Sequence, residues 1–109
     1  MASSQEFVDY VCDQISGAGA ITSRKMFGEY GIYCNGKIIG LICDNQFFVK
    51  KTSGAAVLLT DPEEAPPYDG AKPMFVISDL EDRDFLTAFI LKSYEELPMQ
   101  KTRKKKVKE

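Results

Sequence analysis

The sequence predicts an α+β domain of two layers: an antiparallel sheet of about five strands with helices packed on it, in the order α-β-β-β-β-α-β-α. Three observations lead there. Apolar β-formers run up to Cys34 and resume at Ile38, with Asn35-Gly36 between them. Both central residues of a type I′ turn need positive φ, which Asn and Gly tolerate best, so this pair marks an antiparallel hairpin. At either end of the chain, apolar residues instead recur at helical spacing.

Each element has its own signal. Ser3-x-x-Glu6 reads as a capping box, with Ser4 as an alternative cap. Behind it Phe7, Val8, Val11, Cys12 and Ile15 share one face of a helix from about residue 4 to 16, which Gly17 and Gly19 end. Residues 21–27 read as a first strand. Residues 30–34 and 37–43 form the hairpin, Asp44-Asn45 is a second two-residue turn, and residues 46–51 are the next strand. Strict alternation puts Ile38 and Ile42 on one side of the third strand and Ile39 and Leu41 on the other. A strand apolar on both faces calls for two covers. Helices supply one, and further helices or a partner subunit the other, so a homodimer is an expectation. Thr52-Ser53 caps a short helix over residues 54–59. Residues 60–72, with Pro62, Pro66, Pro67 and Gly70, read as a loop, and residues 73–78 as the last strand. Asp79 is a suitable N-cap for a helix reaching about Glu96, where Leu97-Pro98 stops it.

The chain of 109 residues has the size of one domain, read here as residues 1–98 followed by a basic tail, 99–109. Residues 101–109 carry Lys101, Arg103, Lys104, Lys105, Lys106 and Lys108 against Glu109, a net of +5. The first hundred residues carry 8 basic and 15 acidic groups, a net of −7. No apolar run approaches the ~20 residues of a membrane span, and the N-terminus lacks the pattern of a signal peptide. The expectation is a cytoplasmic protein with no membrane association. Cys12, Cys34 and Cys43 are odd in number, with no CxxC spacing. They read as buried free thiols of a reducing compartment. Pairing through Asn35-Gly36 places Cys34 opposite Lys37 rather than Cys43, which argues against a disulfide between the two cysteines.

The stretch Arg24-Lys25-Met26-Phe27-Gly28-x-Tyr30-Gly31-Ile32-Tyr33-x-x-Gly36 resembles the signature of the TfoX/Sxy family N-terminal domain. The likeness continues in Phe47-Phe48-Val49-Lys50, returns weakly in Pro73-Met74-Phe75 and in the last helix, and spans roughly residues 5–97. It implies a similar two-layer fold. It also implies a non-enzymatic bacterial regulatory or interaction module near transcriptional control of DNA-uptake competence, where such proteins assist a DNA-bound activator. The expected partner is then a protein, such as a transcription factor. Longer members add a C-terminal helical domain, for which a chain ending at Glu109 leaves no room. The signature residues Met26, Phe27, Gly28, Tyr30, Gly31, Tyr33 and Gly36 are read as structural.

No catalytic residue, metal ligand or cofactor site is expected. There is no histidine, which removes the Ser-His and Cys-His arrangements, and there is no phosphate-binding glycine motif. The acidic clusters are a proline-flanked pair, Glu63-Glu64, and a helix start, where carboxylates complement the dipole without chemistry. Arg24 and Lys25 beside Tyr30 and Tyr33 have the composition of a single-strand-stacking surface, but alternation sends the two cations to opposite faces. The basic tail is the remaining contact candidate. Its charge predicts weak nucleic-acid binding indifferent to sequence, which is the alternative function.

Overall fold

Both two-residue turns close with left-handed backbone at both central positions. Asn35 and Gly36 have φ of 52° and 85°, and Asp44 and Asn45 have φ of 53° and 55°. These are the signs a type I′ turn requires, and the right-handed strand twist then carries each hairpin onward. The computed structural model, which describes residues 3–26 and 28–97, builds one six-stranded antiparallel sheet on this spine. The strands are β1 (Ile21–Met26), β2 (Glu29–Cys34), β3 (Lys37–Cys43), β4 (Gln46–Val49), β5 (Glu63–Ala65) and β6 (Met74–Ile77). Their spatial order is β1-β2-β3-β4-β6-β5. The α+β class and the element order agree with the sequence reading except for β5. That short strand lies inside the stretch read as a loop and pairs Glu63 to Ala65 with Val76 to Met74. Three residues beside prolines carry no alternating pattern that would announce it.

The helices are α1 (Gln5–Gln14), α2 (Ser53–Ala56) and α3 (Arg83–Glu96), with a 3₁₀ turn at Ser16–Ala18. Ser4, not Ser3, is the N-cap of α1, accepting from the Phe7 amide at 3.1 Å. Thr52 caps α2 in the same way, although that helix is shorter than residues 54–59 suggested. The cap of α3 is Asp82, which accepts from the Phe85 amide at 3.0 Å. Asp79 instead accepts from the Glu81 amide two residues on, the local turn that Asp side chains favour over helix entry. Leu97, next to Pro98, is extended at φ −78°, ψ 142°, as a residue before proline prefers.

All three helices lie on one face of the sheet. Val8 and Val11 of α1, Ala55 of α2, and Leu86, Phe89 and Ile90 of α3 share one buried cluster with Ile32, Ile39, Ile42, Phe47, Val49, Phe75 and Ile77. The opposite face holds a second, smaller cluster of Cys43, Phe48, Met74 and Val76, with Leu41 and Ala65 packed against it. No helix among the described residues covers that face.

The division within β3 departs from strict alternation. Tyr33 lies opposite Ile38 but Ile32 lies opposite Gly40, so Ile39 is an extra residue in the ladder. This β-bulge returns Ile39 and Ile42 to the same, helix-covered side and leaves Ile38 and Leu41 on the other. Gly40 follows the bulge because β4 passes too close for a side chain: a Cβ there would collide with the Phe48 carbonyl oxygen.

Candidate functional site

The helix-free face carries a cleft of about 1570 Å³. Its floor is apolar: Met26 from β1, Ile38, Leu41 and Cys43 from β3, and Met74 from β6. The wall is the segment 66–73, which joins β5 to β6 and contributes Pro67, Tyr68, Ala71 and Pro73. Tyr68 is 62% exposed, a large aromatic held at the rim rather than in the core.

Antiparallel register sorts the charges along the cleft. Glu29 begins β2 and Asp44 follows β3, and these termini lie at the same end of the sheet because Tyr30 pairs with Ile42. Lys50 and Lys51 follow β4, and Lys72 precedes β6, at the end where Val49 pairs with Phe75. The two ends are about five residues apart along a strand, roughly 15 Å at ~3.3 Å per residue. Lys51 is engaged by Glu64 at 2.8 Å. Asp69, on the segment that rises from the lysine end, adds a carboxylate to the lining.

The acidic end is pinned in place. One Glu29 oxygen accepts from the Ser3 amide at 2.9 Å and the other from the Asp44 amide at 2.8 Å. Asn45 completes the clasp: its amide donates to the Ser3 hydroxyl at 2.8 Å, and its side-chain oxygen accepts from the Ser4 amide at 2.9 Å. Burial pushes the Glu29 carboxyl upward, but the two amide hydrogen bonds outweigh it and hold its pKa below the ordinary value of 4.5. In the floor, burial first and then the Glu29 and Asp44 carboxylates push the Cys43 thiol upward. A thiol so placed stays protonated and is a poor nucleophile. Cys34 and Cys12 are likewise raised, chiefly by burial. The described residues gather no cluster of three or more His, Cys, Asp or Glu side chains suited to a metal, and no described helix is long and apolar enough to cross a membrane. The arrangement offers apolar contact area and charge, which suits binding a macromolecular surface.

The structure disperses the residues singled out from sequence. Arg24 lies over the Tyr33 ring at 5.7 Å and Lys25 over the Tyr30 ring at 6.0 Å. The residues opposite them, Gly31 and Tyr30, alternate in face, so the cations do not form one patch. Tyr30 is buried in the helix-side core, with its hydroxyl 3.4 Å from the Gln5 side-chain oxygen. Met26 lines the cleft. Gly28 and Gly36 hold turns at positive φ, and Gly31 packs against Met26 and Tyr33. Phe27 and the tail cations Lys101, Arg103, Lys104, Lys105, Lys106 and Lys108 lie outside the described residues. The sequence reading missed Ile38, Leu41, Tyr68, Met74 and the charged ends as a group. The one signal available was a strand apolar on both faces with helices enough for one.

Comparison with known proteins agrees with this architecture. Residues 13–98 match the TfoX N-terminal domain. The chain is also similar to the uncharacterized 12.7 kDa protein in the trpE 5′ region of Spirochaeta aurantia, with 32% identity over 109 residues covering 99% of this chain and 95% of that protein. The signature stretch around the β2–β3 hairpin, the two-layer fold built on it and a match over most of the chain place this protein in the TfoX N-terminal domain family.

Proposed function

We propose that this protein is a non-enzymatic interaction module that acts in transcriptional regulation of DNA-uptake competence through protein–protein contacts. The observation that carries this reading is the helix-free sheet face, with its apolar floor, exposed Tyr68 and oppositely charged ends. Contiguous apolar surface rimmed by polar residues is the usual mark of a protein contact site, and membership of the TfoX N-terminal domain family supports the regulatory side of the reading. The test is genetic. Deleting the gene in the native host lowers transcripts of DNA-uptake genes and transformation frequency; wild type restores both, and Leu41→Glu, which charges the cleft floor, does not. Unchanged transcripts in the deletion strain overturn the reading.

A second reading, weak nucleic-acid binding through residues 101–109, is favoured by their net charge of +5. Such binding is driven by phosphate attraction and carries no sequence preference.

A further inference from the structure

The geometry points to a second copy of this chain as the occupant of the cleft, forming a two-fold dimer through the helix-free faces. This rests on reading the cleft as a macromolecular docking surface and names the partner it takes.

A two-fold interface must be self-complementary, because the same patch meets itself in opposite orientation. This cleft meets that condition. Its acidic end carries Glu29 and Asp44, and its other end carries Lys50 and Lys72 beside the Lys51–Glu64 pair. A two-fold axis lying in the plane between the two sheets, perpendicular to β3 and passing over Leu41, turns the faces toward each other and lays the acidic end of each copy over the lysine end of the other. The poles, roughly 15 Å apart by strand rise, exceed the ~8 Å screening length at physiological salt, so each acts on its own counterpart. Leu41 sits midway between them, opposite Gly31 on one side and Phe48 on the other, and meets its own copy at the axis. Tyr68 projects from the wall as the aromatic anchor such interfaces favour.

Other occupants fit less well. A polyanion such as DNA is repelled by the Glu29–Asp44 end. The basic tail of the chain itself is repelled by Lys50 and Lys72. A second copy answers both ends at once, and it covers the apolar residues of β3 that the helices leave open.

The experiment is sedimentation of the full chain across a concentration series at low and physiological salt. A monomer–dimer equilibrium in the micromolar range is expected, weakening as salt rises. Asp44→Lys and Lys72→Glu, both at exposed positions, each set like charges against each other and weaken the dimer about tenfold. An equimolar mixture of the two variants restores it, because each swapped end then meets its complement. Leu41→Glu abolishes it; circular dichroism checks its fold, and the two surface variants carry the test if it fails to fold. A monomer at all concentrations up to about 100 µM, well above the micromolar range expected, overturns the proposal. So does a dimer indifferent to both charge swaps. A monomer that still supports competence transcripts removes the second copy while leaving the functional reading in place; a charge-sensitive dimer without any transcript effect does the reverse.

Discussion

Lys37 donates from Nζ to the backbone oxygen of Tyr94 at 2.7 Å and lies 4.2 Å over the centre of its ring. It ties the first residue of β3 to the last turn of α3. Lys37 is the one charged residue counted among the buried groups of the described chain, at 8% exposure. Carbonyls in the last turn of a helix have no intrahelical donor, and the negative end of the helix dipole favours a cation there. The last turn of α3 carries no basic residue of its own, so a lysine from the hairpin supplies the charge. Lys37→Met keeps the length of the stem and removes the donor and the ring contact. We expect a loss of about 1–2 kcal/mol, measured as a shift in the urea midpoint. An unchanged midpoint would show that water replaces the ammonium without cost.

Glu29 gives the protein an acid-sensitive joint. Its folded-state pKa lies below 4.5, so its contribution to stability is present above that value and is lost as pH falls through the folded pKa. Glu29→Gln keeps the shape but weakens the acceptor for the Ser3 and Asp44 amides. The variant is expected to be less stable at pH 7 by about 1 kcal/mol, at the low end for charged hydrogen bonds because the carboxylate is part-exposed. The gap between the two proteins should close in strongly acid solution. A gap of equal size at pH 7 and pH 2 would assign the effect to packing instead of charge.

Two glycines resist substitution for different reasons, and the difference is measurable. At Gly36 a Cβ would meet nothing within 4 Å, but φ is +85°. Gly36→Val therefore costs backbone strain alone, about 1 kcal/mol or a little more. At Gly40 the obstacle is the Phe48 carbonyl of the neighbouring strand. Gly40→Ala must push β3 and β4 apart and is expected to cost more than about 2 kcal/mol. Thermal unfolding of both variants should rank Gly40→Ala below Gly36→Val; the reverse order would contradict the register of the β3–β4 ladder.

For the tail, binding to duplex DNA should be micromolar or weaker and indifferent to sequence. It should fall with salt at a log–log slope of up to about −5 for six neutralised phosphates. Deleting residues 101–109 should abolish it and leave the unfolding midpoint unchanged. Filter binding with a truncated chain that retains affinity would move the contact to the folded domain, with Arg24 the first residue to replace.

Local chemistry made much of this protein legible before any coordinates. The Asn35-Gly36 pair set the hairpin because few residue types tolerate the positive φ that both central positions of the turn need, and Cys34 stands opposite Lys37 as that turn requires. The helices α1 and α3 were readable because apolar residues recur on one face, and Leu97-Pro98 marked the end of α3 because proline constrains its predecessor. Strand alternation alone separated Arg24 from Lys25. What sequence left open depended on contacts between distant segments. The bulge at Ile39 was invisible, since an extra residue in a ladder is defined by the partner strand, and it exchanged the faces of Ile38 and Ile39. Asp82 displaced Asp79 as the cap of α3 although both are good capping residues, because helix entry is fixed by where the chain leaves β6. The cleft likewise exists only in the tertiary structure. It needs all three helices on one face, the segment 66–73 folded against the other, and antiparallel register to carry Asp44 and Lys72 to opposite ends. Residue types determined which elements form; packing decided which face stayed open.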